Sequence, residues 1–243
     1  EIRRRDWSSD VCSSDLKEIA HYAKRNTDKI ALSTLPELSL QQLKIVFAER
    51  EKTVAAIKTF ERTKENEMFL TKEVFNSVKA INNQTVKHLK KQLVMLDEKI
   101  RTLIREDENL YGQQQLLKSI PGIGDITSVY ILMATKGFTA FTSGRKFACY
   151  SGVAPFEHSS GTSIKGKTRV SHLADKKMKT LLHMASLTAI KYDPELKDYY
   201  NRKKAEGKHT MLVLNNIKCK MVYRIFAVIQ RKSNFVNLHK FAA

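Results

Sequence analysis

Apolar residues between positions 37 and 111 return at intervals of three and four. Leu43, Phe47, Val54 and Ile57 form one run, Val74, Val78 and Ile81 a second, and Leu89, Leu93, Leu96, Ile100, Leu103 and Leu110 a third. That period places each run on one face of a helix. The same 75 residues hold neither glycine nor proline, so nothing in them breaks a helix strongly. The third run, set among Lys, Glu and Arg, has the spacing of a coiled-coil seam. The weakly apolar stretch 61–66 marks a break, which suits an antiparallel helical pair. Two readings stay open for this segment: an arm that dimerises or spaces two domains, and part of an ordinary helical bundle.

Gly112 marks a boundary, and all nine glycines lie from there to Gly207. The run LLKSIPGIGDITSVYILMA, 116–134, reads as helix, tight turn, helix. It resembles a helix-hairpin-helix motif, in which Gly122 and Gly124 would let backbone N–H groups approach a phosphate at the next helix N-terminus. A plain helix connector is the other reading. Further helices are expected over 144–150, 174–192, 195–206 and 211–231. The 174–192 helix should bury Met178, Leu181, Leu182, Ala185, Leu187 and Ala189, and Asp193-Pro194 ends it. Gly207 should cap the 195–206 helix. The last helix should turn Leu212, Leu214, Ile217, Met221, Ile225 and Val228 inward and Lys218, Lys220, Arg224 and Arg231 outward. No strand-like alternation is evident. The expected fold is mainly all-α: a long helical coiled-coil arm over 37–111, then a compact helical domain over 112–243.

Composition adds a partner class. The chain carries 43 Lys and Arg against 25 Asp and Glu, a formal +18. From position 161 onward there are 18 basic and 5 acidic side chains, so +13 sits in the last third. Such asymmetry points to a polyanion, most simply nucleic acid. No window approaches the ~18 consecutive apolar residues of a membrane span, so an anionic membrane surface is the weaker reading. Cys149 and Cys219, with no CxxC and no Cys/His cluster, suit a reducing, cytoplasmic setting and no structural zinc. The block 1–16, with the only tryptophan, Trp7, differs from the rest. Its residues 6–16 match, in order, the translation of a common sequencing adapter, so it is set aside as an artefact. The natural upstream part is then expected to be missing.

The chemistry concentrates in GVAPFEHSSG, 152–161, and the basic stretch behind it. Ser160 stands in a Ser-Gly pair on a glycine-hinged loop, with Lys165, Lys167 and Arg169 just downstream. A hydroxyl on a hinged loop among cations suits attack on a phosphodiester, because the cations hold the polyanion near the nucleophile. The bland reading is a loop serine bonding its own backbone. His158 and His172 are candidate bases. Tyr199 and Tyr200, beside Arg202, Lys203 and Lys204, could stack on nucleotides or simply pack.

The order PGIG, GVAP, SG, basic segment, then a helix ending at PELKDYYNRKKAEGK resembles the C-terminal domain of insertion-sequence 110/116/902 transposases over about 116–231. The resemblance implies a DNA recombinase with two catalytic modules joined by a coiled coil, working with DNA and a structured guide RNA. One module is a RuvC-like domain whose four acids bind magnesium. Residues 17–32 resemble the tail after its last acidic motif, so 17–36 is a remnant of that domain and no metal ligand is assigned to this chain. The other module supplies a serine nucleophile, which falls on Ser160, with Ser159 as fallback. Lys179 stands where relatives carry an arginine, keeping the charge but losing the bidentate fork. His172, Leu173, Ala174 and Asp175 replace a Lys-Arg-Gly-Asn-like stretch. The resemblance also implies a homo-oligomer through the coiled coil, nucleoid association, and a fragment that does not recombine DNA alone. The alternative is a non-enzymatic helix-hairpin-helix module that binds nucleic acid. A third reading is a scaffold or membrane-surface coiled coil.

Overall fold

The computed structural model describes residues 9–27, 37–62, 68–160, 164–170 and 173–237; the side chains of 9–15 and 157–169 lie outside that description. The described residues form nine helices and one two-stranded antiparallel hairpin, so the fold is all-α in the main. The chain divides into two units, Glu1–Pro36 and Glu37–Ala243. The first contains α1, Ser9–Arg25, whose last turn is extended by Asn26 Nδ2 donating to Tyr22 O at 2.9 Å.

The second unit opens with α2, Leu38–Glu61, and α3, Lys72–Arg105. These two pack antiparallel. Ser39 Oγ donates to Asp107 Oδ2 at 2.7 Å, Arg50 Nε to Asp97 Oδ1 at 2.6 Å, and Lys90 Nζ meets Glu61 Oε1 at 2.8 Å. Leu43, Phe47 and Ile57 of α2 are buried, as expected. On α3 the inner stripe runs through Phe75, Val86, Ile100 and Leu103, while Val74 and Ile81 face outward. The 61–66 break falls where α2 ends, and 63–67 lie outside the described residues. The next break comes at Glu106 and Asp107, before Gly112. There the Asp107 Oδ1 accepts from Leu110 N–H at 3.0 Å and starts α4, Glu108–Lys118, with Gly112 inside it. That cap interrupts the leucine run between Leu103 and Leu110.

One apolar core unites the root of this helical pair with the remaining helices of the unit. Leu40, Leu43, Phe47, Ile100 and Ile104 join Leu117, Ile120, Leu132, Phe147, Leu182, Ile217 and Ile225. Around it lie α5 (Asp125–Thr135), α6 (Gly144–Tyr150), α7 (Lys176–Tyr192), α8 (Pro194–Ala205) and α9 (Thr210–Arg231). Helix α6 is fixed by an aromatic cluster in which the Phe147 ring lies 5.3 Å from Phe141, 5.7 Å from Phe226 and 5.9 Å from Tyr150. Asp193 caps the start of α8 and is buried, accepting Arg224 Nη1 at 2.5 Å. Helix α8 ends as expected at Gly207 (φ +75°), with Gly207 N–H to Lys204 O and Lys208 N–H to Lys203 O, the paired bonds of a Schellman cap.

Three details depart from the sequence expectation. Residues 155–170 contain strands β1, Pro155–Ser160, and β2, Ile164–Val170. Leu187 and Leu212, assigned to inner faces, are exposed, each lying off the stripe set by its buried neighbours. Lys218, assigned outward, is 4% exposed: it lies one turn from Leu214 and Met221, on the face that α9 turns toward α7.

Candidate nucleic-acid interface

The β1–β2 hairpin is an excursion between α6 and α7, and its root is tightly held. Asp175 N–H donates to Tyr150 O at 2.9 Å, and Asn215 Nδ2 of α9 donates to Val153 O at 2.8 Å. The two legs touch so closely that a Cβ on Gly152 (φ +64°) would fall 2.5 Å from the Ala174 Cβ. Asp175 is the hub. Its Oδ1 accepts the Met178 N–H at 2.9 Å and so caps α7; its Oδ2 accepts the hydroxyls of Tyr130 at 2.9 Å and Tyr150 at 2.8 Å. Burial, and then the bond to Asp175, pushes the Tyr150 phenol up to about 12; the same causes push Tyr130 higher. Both tyrosines are therefore neutral donors at neutral pH.

From this root the hairpin carries the sequence-assigned residues outward. The pairing register sets Pro155 opposite Val170 and Phe156 opposite Arg169, slips by one residue, and then sets Ser159 opposite Lys165 and Ser160 opposite Ile164. Such a slip is a β-bulge, which adds local twist. Ser160 is thus the last residue of β1. Its backbone belongs to a strand end rather than to the loop expected from the sequence. Gly161 and His172 lie outside the described residues, as do the side chains of His158, Ser159, Ser160, Lys165, Lys167 and Arg169. The backbone brings Ser160 and Lys165 to one end of the hairpin and leaves Arg169 near the root.

Lys179 lies on α7 at that root, half-buried; the Cβ position built on Gly152 comes 3.6 Å from its Cδ. Gly122 and Gly124 are elsewhere, in the turn between α4 and α5. The Ile123 N–H donates to Ile120 O at 3.1 Å around Pro121-Gly122, with Gly122 at φ +95°, the signature of a type II turn. A Cβ on Gly122 would lie 2.3 Å from Ala185 O, so this glycine lets the turn approach α7. Gly124 has open space around it. At the α5 N-terminus the Asp125 carboxylate takes the place favoured for an anion and pairs with Lys118 Nζ at 2.6 Å. Tyr199 and Tyr200 pack partly into the core, and Lys220 Nζ lies 4.7 Å from the centre of the Tyr199 ring.

A cleft of about 510 Å³ opens beside Asp175, lined by Lys44, Phe47, Glu51, Tyr130, Tyr150 and Lys177 among others, with Lys177 paired to Glu51. The sequence reading named Asp175 only as a departure from the family's stretch and found neither its role nor its tyrosines. The signal was present in Asp175 placed just before the first turn of α7, a helix N-cap pattern. Among the described residues no three His, Cys, Asp or Glu side chains gather to hold a metal ion, so they do not fit a magnesium site. No helix among them is long and apolar enough to cross a membrane.

Known proteins resemble parts of this sequence. Residues 114–201 match the family model described as Transposase IS116/IS110/IS902 family, a span that runs from α4 through the hairpin into α8. The pilin gene-inverting protein of Moraxella bovis is 28% identical over 159 residues, 65% of this chain and 49% of that protein. The insertion element IS900 uncharacterized 42 kDa protein of Mycobacterium paratuberculosis is 33% identical over 134 residues, 53% of this chain and 33% of its own length. The IS110 uncharacterized 43.6 kDa protein of Streptomyces coelicolor is 33% identical over 100 residues, 41% of this chain and 24% of its own. The chain spans about half the length of the pilin gene-inverting proteins it matches. The turn, the hairpin and its capped root all lie within residues 114–201, the part of the chain that is similar to the IS116/IS110/IS902 transposase family.

Proposed function

We propose that the chain is part of an insertion-sequence DNA recombinase that exchanges strands through Ser160. One observation carries the reading: the family-matched segment contains two paired antiparallel strands, the first ending at Ser160 and the second carrying Lys165, Lys167 and Arg169. In the step envisaged, the Ser160 Oγ forms a bond to a DNA phosphorus. The bond from that phosphorus to one deoxyribose oxygen breaks. The serine proton goes to a base, and the released sugar hydroxyl takes up a proton. The phosphoserine diester conserves the bond for rejoining to a second strand. The cations hold backbone phosphates and neutralise charge on the phosphorus oxygens.

The finer points rest on the family resemblance. A guide RNA would select sequence by base pairing, the helical pair α2–α3 would support assembly of copies, and magnesium would enter with a domain beyond this chain. This chain alone is expected to bind nucleic acid and not to recombine it. The family match counts against a purely non-enzymatic module. The test replaces Ser160 by alanine in a protein extended to the length of its relatives. Loss of covalent protein–DNA adducts with DNA binding retained supports the serine; adducts formed at the parent level by S160A remove it from the chemistry.

A further inference from the structure

Lys218 is the least expected charge in the molecule. It is 4% exposed on the inner side of α9, and among the described residues no carboxylate or hydrogen-bond acceptor pairs with it. It lies one turn beyond Asn215, whose amide holds Val153 O at the hairpin root. The charge that acts on it is Lys179 of α7, another cation, itself without an ion pair among the described residues. The neighbouring root residues Ser151, Gly152 and Val153 carry no charge, and the carboxylate of the root, Asp175, is taken up by the hydroxyls of Tyr130 and Tyr150 and the Met178 N–H rather than by either lysine. Burial first, and Lys179 second, lower the Lys218 pKa.

A largely buried lysine without an anion is costly, and a second cation beside it on the half-buried Lys179 adds to that cost. An incoming phosphodiester offsets both terms at once, because one negative group answers two positive ones in a partly desolvated place. We propose that Lys218 and Lys179 form a two-cation seat at the hairpin root for one backbone phosphate of the bound nucleic acid. The seat rests on the proposed nucleic-acid function of this chain. It anchors the strand at the fixed end of the hairpin, about 15–20 Å from Ser160 by strand rise. Its role is positioning rather than chemistry.

The test uses the 243-residue chain with a labelled duplex DNA oligonucleotide and, separately, a single-stranded RNA of the same length. Dissociation constants are measured across a salt series for the parent, K218M, K179M, the double variant and the exposed-site control K99M. The expected result for K218M is a thermal midpoint equal to or above the parent, affinity weakened roughly 3- to 10-fold, and a salt slope smaller by about one phosphate contact. K179M should do the same, and the double variant should lose less than the two losses combined. The arm with the larger loss identifies the strand seated. If K218M or, should it fail to fold, K179M binds both probes with the parent's slope, the seat is overturned while the nucleic-acid reading stands. If the parent binds neither probe, that reading falls and takes the seat with it.

Discussion

Gly122 offers the sharpest separation between a residue kept for packing and one kept for ligand contact. Alanine there must hold φ +95°, and its Cβ would stand 2.3 Å from Ala185 O, 3.0 Å from Ala189 N and 3.1 Å from Ala189 Cβ. Two of these are backbone atoms of α7, which cannot swing aside as a side-chain tip can. The left-handed backbone costs about 1–2 kcal/mol, and forcing a methyl into a filled contact adds about 1–3 kcal/mol. The turn must lift from α7, taking the buried Ile120 and Ile123 with it. A total near 2–5 kcal/mol corresponds to a midpoint lowered by about 4–20 °C for a unit of this size. Urea unfolding followed by circular dichroism measures it, with two controls. G112A lies inside α4 with nothing within 4 Å and should gain about 0.5–1 kcal/mol from helix propensity. G124A, in open space at the α5 N-cap, should lose only glycine's capping advantage over alanine, about 1 kcal/mol or less. If G122A unfolds with the parent yet loses nucleic-acid binding, the packing argument is refuted and the glycine serves the ligand.

D193A strips the α8 cap and leaves the largely buried Arg224 without its innermost partner, so it should cost about 3–5 kcal/mol in urea unfolding. Ultraviolet titration of the eight tyrosines should leave two phenols un-ionised beyond the ordinary tyrosine range, Tyr150 near pH 12 and Tyr130 above it, and D175N should move Tyr150 down. Because folding raises both phenols, their stabilising contribution is full below the ordinary tyrosine pKa of about 10 and is lost as pH climbs through about 12. Stability that is flat between those values would contradict the Asp175 arrangement.

Helices were legible because their cores obey one period. The 144–150 expectation coincides with α6, and 211–231 with α9 to within a residue, since Ile217, Met221, Ile225 and Val228 recur on one face and are all buried. The hairpin was not legible. Residues 157–169 hold a single strongly apolar side chain, Ile164, so the two-residue alternation that marks a half-buried strand is absent. What makes it a hairpin is backbone pairing, which the residue pattern does not encode. Lys218 was misplaced because a cation at an inner position of α9 reads as outward by polarity alone. Ser160, Lys165, Lys167 and Arg169 were assigned as candidate chemistry because they share one short segment. The frame that carries them, Asp175 with Tyr130 and Tyr150 and Asn215 with Val153, depends on contacts between residues far apart in the chain.

The α2–α3 pair is built unevenly along its length. At one end Leu40, Leu43, Phe47, Ile100 and Ile104 sink into the common core, while toward the other Met68 and Phe69 stand in solvent at 91% and 84% exposure. Opening should therefore cost least at the tip and rise steadily toward the root. Amide exchange along the two helices would then read as a ramp, fast near residue 70 and slow near residue 100. A force applied at the outer end would unzip it progressively, making the pair a compliant spring seated in a rigid socket.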